Sequence, residues 1–272
     1  MSVTVLFNLL QALGGILGLL VGNRFADQTR PDQQIQSTPF HSLFRIISTN
    51  KTRTVPLGDS ITAITCWRTI LWDALRDANL TDYIQFVGSS TSNAGACIGT
   101  GPGTWDHHHE GHGGYTAVGI ADNDLRAARP DVVMFMLGTN DVTHGHATTA
   151  IIDAYTRMVG QMRESNAGMR IIVDLVIPLA VGNAGIVDLN AAILPWAKAL
   201  NSTASPIYVA DTNTGFTDAD EVDGVHPIAN GDRKIAGRLY PILRQNFNQN
   251  CGAGNAVGCL AGGLEGVEDV TE

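Results

Sequence analysis

The chain has 272 residues, a net charge of −9 at neutral pH and 44% hydrophobic content. That is enough apolar material for one sizeable core, and an α/β layer fold of this length usually stays a single domain. No cluster of Lys and Arg interrupts the acidic balance, which argues against nucleic acid and anionic membrane surfaces as partners, since both are recognised by grouped positive charge.

Met1 to Gly22 carries no charged side chain and is mostly apolar. A secretory signal peptide over residues 1–22 is the favoured reading; a signal anchor and an ordinary packed helix stay open. Asn8, Gln11 and Gly14, Gly15 and Gly18 suit a membrane span poorly, and no Lys or Arg precedes the apolar run. Residues 23–53 form an N-terminal arm, polar from Asp27 to Ser37.

Alternation of strand and helix begins near Thr54. Thr54 to Leu57 is a short buried strand, followed by one amphipathic helix from Ile61 to Leu80 with apolar residues at Ile64, Trp67, Leu71 and Leu75. Tyr83 to Val87 is a second strand. Ser89 to Gly114 is irregular, and such long loops in compact domains are often functional. A helix is expected over Tyr115 to Ala128, ended by Pro130, then a continuous apolar strand from Asp131 to Leu137. Further on come a helix (Thr148–Glu164), a strand (Arg170–Ile177), a helix (Gly185–Leu200), a fifth strand (Pro206–Ala210) and a last helix (Ala229–Phe247). This order predicts a three-layer α/β/α sandwich with a flavodoxin-like, five-stranded parallel sheet. The sandwich domain spans residues 54–248, and residues 249–272 form a Cys- and Gly-rich acidic tail.

Four cysteines suit an oxidising compartment. Cys251–Cys259 is the favoured pair, and Cys66–Cys97 would then tie the first helix to the long loop. Buried free thiols at Cys66 and Cys97 are the alternative. Sequons at Asn50, Asn79 and Asn201 are close to chance in number.

The chemistry lies at strand ends. Ser60, in Gly58-Asp59-Ser60, sits between a strand and a helix, where a hydroxyl can serve as nucleophile or merely cap the helix. Asp223 and His226, three apart, can form an acid–base pair in which the carboxylate orients the imidazole. Asn140 follows the central strand and offers an amide donor for an oxyanion, or forms an Asx turn. Gly114 ends the long loop, where a glycine lets its N–H approach the same oxygen. Each is weak alone; together they fall at strand ends on one edge of one sheet.

The set resembles the SGNH (GDSL-like) hydrolase superfamily, with matching blocks at Gly58-Asp59-Ser60, Gly138-Thr139-Asn140-Asp141 and Asp223-Gly224-Val225-His226-Pro227, and a degenerate block whose glycine falls at Gly114. Cys66-Trp67-Arg68, Phe86-Val87-Gly88-Ser89 and His109-Glu110-Gly111-His112-Gly113-Gly114-Tyr115 are most similar to carbohydrate esterase family 3, whose members are acetyl xylan esterases. The resemblance implies a triad of Ser60, His226 and Asp223, an oxyanion hole from Ser60 N–H, Gly114 N–H and Asn140, and no cofactor or metal. It implies a secreted, extracellular enzyme acting on acetylated polysaccharide, expected as a monomer without a stable membrane partner. A short-chain lipid or aryl esterase, and an inactive carbohydrate-binding protein, are the alternatives. The histidines around Glu110 lack the spacing of a zinc helix. Trp105 is a candidate sugar platform or a core residue. His144 is a candidate rim residue that could donate to a sugar, or a solvated loop histidine.

Overall fold

The computed structural model describes residues 51–120 and 129–249. These residues belong to one compact unit. The expected signal peptide, most of the expected N-terminal arm, nearly all of the expected tail and the expected Cys251–Cys259 pair lie outside the described residues.

Among the described residues six strands form one parallel sheet: β1 (Thr52–Gly58), β2 (Ile84–Phe86), β3 (Glu110–Gly111), β4 (Val132–Met136), β5 (Arg170–Asp174) and β6 (Ile207–Ala210). The main path runs β2-β1-β4-β5-β6, and β3 pairs with β1 beside it. The helices are α1 (Ser60–Ile64), α2 (Trp67–Asp77), α3 (Thr139–Thr143), α4 (Thr148–Ser165), α5 (Asn183–Leu200) and α6 (Ala229–Gln249). The expected three-layer sandwich is the observed architecture.

Strand periodicity sorts the core into two layers. In β4, Val133 and Phe135 face a cluster with Val55, Leu57, Tyr155, Met158, Leu189 and Ile193, which brings α4 and α5 onto that face. Val132, Met134 and Met136 point the other way, towards Trp67, Leu71, Leu75, Ile235 and Leu239 of α2 and α6. Both faces of the central strands are covered, which explains their unbroken apolar runs.

The structure departs from the sequence expectations in four places, each through a specific contact. The single helix expected after β1 breaks at Thr65–Cys66. Thr65 is extended, its hydroxyl donates back to the Ile61 carbonyl at 2.7 Å, and the Cys66 N–H donates to Asp232 of α6 at 3.0 Å. The sheet gains a sixth strand because β2 pairs only with the first part of β1. Leu57 and Gly58 instead take Glu110 and Gly111 as neighbours. The expected strand to Ile177 stops at Asp174, since β6 ends opposite it at Ala210. Asn190 of α5 then substitutes for a strand partner, its amide bonding both the N–H and the carbonyl of Val176 at 2.8 Å. Finally, Tyr115 to Ile120 forms turns rather than the start of a helix, because Asp141 captures the N–H groups of Ala117 and Val118 at 2.7 and 3.1 Å. The rest of that expected helix, 121–128, lies outside the described residues.

Cys66 and Cys97 form a disulfide, one of the two pairings expected. It pins the long loop to the start of α2. Among the described residues no helix is long and apolar enough to cross a membrane.

Candidate active site

β1 ends at Gly58, where a side chain would stand 2.9 Å from the Met136 carbonyl oxygen and collide with Thr62. The absence of a Cβ therefore lets the chain turn sharply from strand to helix between its neighbours. Asp59 caps α1, its Oδ1 accepting from the Ile61 N–H at 2.9 Å, so capping falls to Asp59. Ser60 opens α1, and a first-turn N–H has no partner within its own helix.

The loop after β6 brings the other half of the site. His226 Nε2 lies 2.8 Å from Ser60 Oγ, and its Nδ1 lies 2.8 Å from Asp223 Oδ2. Asp223 Oδ1 also accepts the backbone N–H groups of His226 and Val225, at 2.8 and 3.1 Å. The turn closes through the Val222 N–H on the His226 carbonyl at 3.0 Å. The hydrogen bond from the His226 ring, with its backbone N–H, holds the Asp223 carboxyl below its ordinary range. An Nδ1–H donated to an ionised carboxylate leaves Nε2 unprotonated and facing the hydroxyl.

Asn140 sits in the first turn of α3, directly after β4. Gly138, at φ +121°, makes the turn between them, a conformation that favours glycine. The Asn140 amide donates to the Tyr115 carbonyl at 2.9 Å and to Asp59 Oδ2 at 3.3 Å. Asp59 is buried, and burial raises its carboxyl to about 6 against the opposing pull of the Ile61 N–H and His226.

Gly114 follows β3 in a turn at φ +80°. It reaches the site because Gly111 pairs with Gly58 and the His112 N–H donates to the Gly58 carbonyl at 3.0 Å. The histidine-rich stretch divides. His109 is buried, and its Nδ1 accepts the Gly111 N–H at 2.9 Å, which leaves Nε2–H to donate to the Ser92 carbonyl at 3.1 Å. Burial first, and Arg68 next, lower its titration to about 4, so it is a neutral latch on the loop. His112 instead donates through Nε2 to Glu110. His108 bonds Asp106 on the surface.

Trp105 does not offer a sugar platform. It is 7% exposed, its indole N–H donates to the Cys97 carbonyl at 3.3 Å, and Arg68 lies over its ring at 5.2 Å. The disulfide draws this loop inward and makes Trp105 a core residue. His144 is exposed after α3, with its ring edge towards His146 at 6.2 Å. Asp59, Asp141 and the Glu110–His112 pair are supporting residues that the motif reading passed over. Their signal was in the sequence, since each belongs to a block already singled out, but polar partners distant in sequence give them their roles.

A serine, a histidine and an aspartate in one hydrogen-bonded line, beside an asparagine amide and a glycine turn, converge at the C-terminal edge of β1, β4 and β6. This is where open α/β sheets place ligands. The family model for GDSL-like lipases and acylhydrolases matches residues 57–234.

The chain belongs to the GDSL-like lipase/acylhydrolase family.

Membership places it among the carboxylic ester hydrolases of the SGNH superfamily. A carbohydrate esterase of family 3 from Talaromyces cellulolyticus is 39% identical, with a TM-score of 0.70 over 73% of this chain and 99% of that one. An acetyl esterase variant solved with acetate ion is 38% identical, with the same TM-score and coverage. A multidomain esterase of Ruminococcus flavefaciens is 25% identical over 210 residues; the match spans 66% of this chain and 27% of that much longer protein.

Proposed function

We propose that this chain is a secreted serine esterase that removes acetyl groups from acetylated polysaccharide of the xylan type, through a Ser60–His226–Asp223 triad. The observation that carries the reading is the unbroken line from Asp223 through His226 to Ser60, with 2.8 Å at each step. The acetyl and carbohydrate preference rests on the two esterases of 38 and 39% identity. Secretion rests on the apolar N-terminus and on the Cys66–Cys97 disulfide, which persists in oxidising compartments.

In the first step His226 Nε2 takes the Ser60 proton as Oγ attacks the acetyl carbonyl carbon. Asp223 stabilises the imidazolium that forms. The carbonyl electron pair moves onto oxygen, where the N–H groups of Ser60 and Gly114 would receive it, together with the Asn140 N–H that otherwise makes the longer, 3.3 Å contact with Asp59. The carbon–oxygen bond to the sugar then breaks, and the departing oxygen takes the proton from His226. In the second step a water gives its proton to His226 and attacks the acetyl-enzyme. Acetate leaves, and the proton returns to Ser60.

The decisive experiment measures acetate released from acetylated xylan against hydrolysis of butyrate and longer aryl esters. Preference for acetyl xylan, abolished by Ser60→Ala and unaffected by a chelator, is the expected result. A preference for longer acyl chains would point to a lipid or aryl esterase. Absence of turnover, with no labelling of Ser60 by a phosphonate ester, would point to a binding protein.

A further inference from the structure

We propose that Glu110 and His112 are positioning residues for the acyl-oxygen pocket, acting through Tyr115 on Gly114 and Asn140. This rests on the catalytic reading above and extends it to groups that touch neither substrate nor nucleophile.

Gly113 and Gly114 would have open space around any added side chain. No atom stands within 4 Å of where either side chain would begin, and glycine is conformationally free. Its geometry must therefore be imposed from the flanks. On one side His112 is anchored at its backbone by the Gly58 carbonyl at 3.0 Å and at its ring by Glu110. Glu110 is itself immobilised. Its side chain is 4% exposed, and it accepts the Ser89 N–H at 2.7 Å and the Ser89 hydroxyl at 2.8 Å. Burial alone would raise its carboxyl, but His112 and the two Ser89 donors together hold it below its usual range. It is thus a fixed acceptor for the ring.

On the other flank the Tyr115 ring stacks on His112, with centroids 4.5 Å apart and planes inclined by 25°. The Tyr115 N–H closes the turn on the His112 carbonyl at 3.2 Å. The Tyr115 carbonyl then accepts the Asn140 amide at 2.9 Å. A continuous chain of contacts therefore runs from Ser89 through Glu110, His112 and Tyr115 to Asn140, with Gly114 between its last links. Donors to an oxyanion act by being held in place before charge develops. Releasing His112 frees the glycine turn and the carbonyl that aims Asn140. That loss falls on the transition state rather than on substrate binding.

A double-mutant cycle in the full-length enzyme tests this, with melting curves to confirm folding. His112→Ala is expected to lower kcat about tenfold on an acetate ester while KM moves less than about twofold, as misplacement of transition-state donors requires. In an Asn140→Ala background the same change should cost only about threefold, because one of the two donors it positions is gone. His112→Phe keeps the stack on Tyr115 but loses the hydrogen bond to Glu110, and is expected to recover only part of kcat. Should His112→Ala melt early, Glu110→Gln weakens the hold on the ring without emptying the site, and the same non-additivity applies. Additive effects, or a silent His112→Ala beside a slow Asn140→Ala, overturn this inference alone. If Asn140→Ala itself is silent, the oxyanion reading fails and this inference falls with it.

Discussion

His226 and Ser60 stand 166 positions apart in sequence, yet their Nε2 and Oγ atoms are 2.8 Å apart. Two separate strand ends create that contact: β1 delivers Ser60, and the loop after β6 delivers His226. Because Asp223 is half exposed at the rim, its role can be removed with little disturbance of the core. Asp223→Asn is expected to lower kcat by roughly 10²–10⁴, by misassigning the imidazole tautomer, while leaving the melting temperature close to that of the parent. Steady-state kinetics beside calorimetry decide it, and an unchanged kcat would remove Asp223 from the triad.

Asn140→Ala is expected to reduce kcat by about 10²–10³, the usual cost of one lost oxyanion donor. Because a donor to an oxyanion acts only as charge develops, kcat should fall more than KM rises. A change confined to KM would make Asn140 a binding group only.

Arg68 is buried and donates to the carbonyls of Thr62 and His107 at 2.8 and 3.0 Å. It joins the end of α1 to the loop that leads into β3. Burial lowers its titration to about 10, which leaves it charged at neutral pH. Arg68→Lys keeps a charge but loses the planar fork, and is expected to destabilise the fold by about 2 kcal/mol through carbonyls left unpaired. Denaturant titration reads this directly; a midpoint equal to that of the parent enzyme would contradict it.

The Cys66–Cys97 bond closes a loop with a sequence separation of 31. Loop-closure entropy assigns it about 3–4 kcal/mol. Replacing both cysteines by serine should lower the melting temperature, and a reducing agent should do the same to the parent enzyme. If neither moves it, the loop is held by Arg68 and Trp105 without the disulfide.

Asp232 is buried between α6 and the α1–α2 break, and burial raises its carboxyl to about 6 despite the hydrogen bond from the Cys66 N–H. One of its oxygens has no partner. An acid raised from 3.8 to about 6 on folding favours the native state most when it is protonated. Its contribution is therefore full below pH 3.8, declines as pH rises through about 6, and stays at its least favourable above that. Asp232→Asn keeps an oxygen acceptor and abolishes the charge. The variant should gain melting temperature relative to the parent as pH rises from 4 to 6, with a constant advantage above pH 7. Paired melts across that range test the sign, and an advantage that shrinks with rising pH would reverse the argument.

The order of elements, the sandwich and the family were legible in the sequence by itself, because each rests on local information. Apolar runs marked buried strands, helical spacing marked their covers, and short blocks at strand ends marked Ser60, Asn140 and the Asp223–His226 pair. The Cys66–Cys97 pair was legible only as one of several possibilities. What tertiary structure alone decided was which polar groups meet. The break after Ile64 depends on Asp232, far along the chain, and the turns from Tyr115 to Ile120 depend on Asp141. Trp105 went to the core once the disulfide and Arg68 covered it, and no local pattern distinguishes that from an exposed platform. β3 formed because β2 leaves the end of β1 unpaired, so a stretch that reads as an irregular loop became the strand that seats Gly114. Backbone periodicity is written in neighbouring residues. Hydrogen-bond partners and burial are set by segments that only the folded sheet brings together.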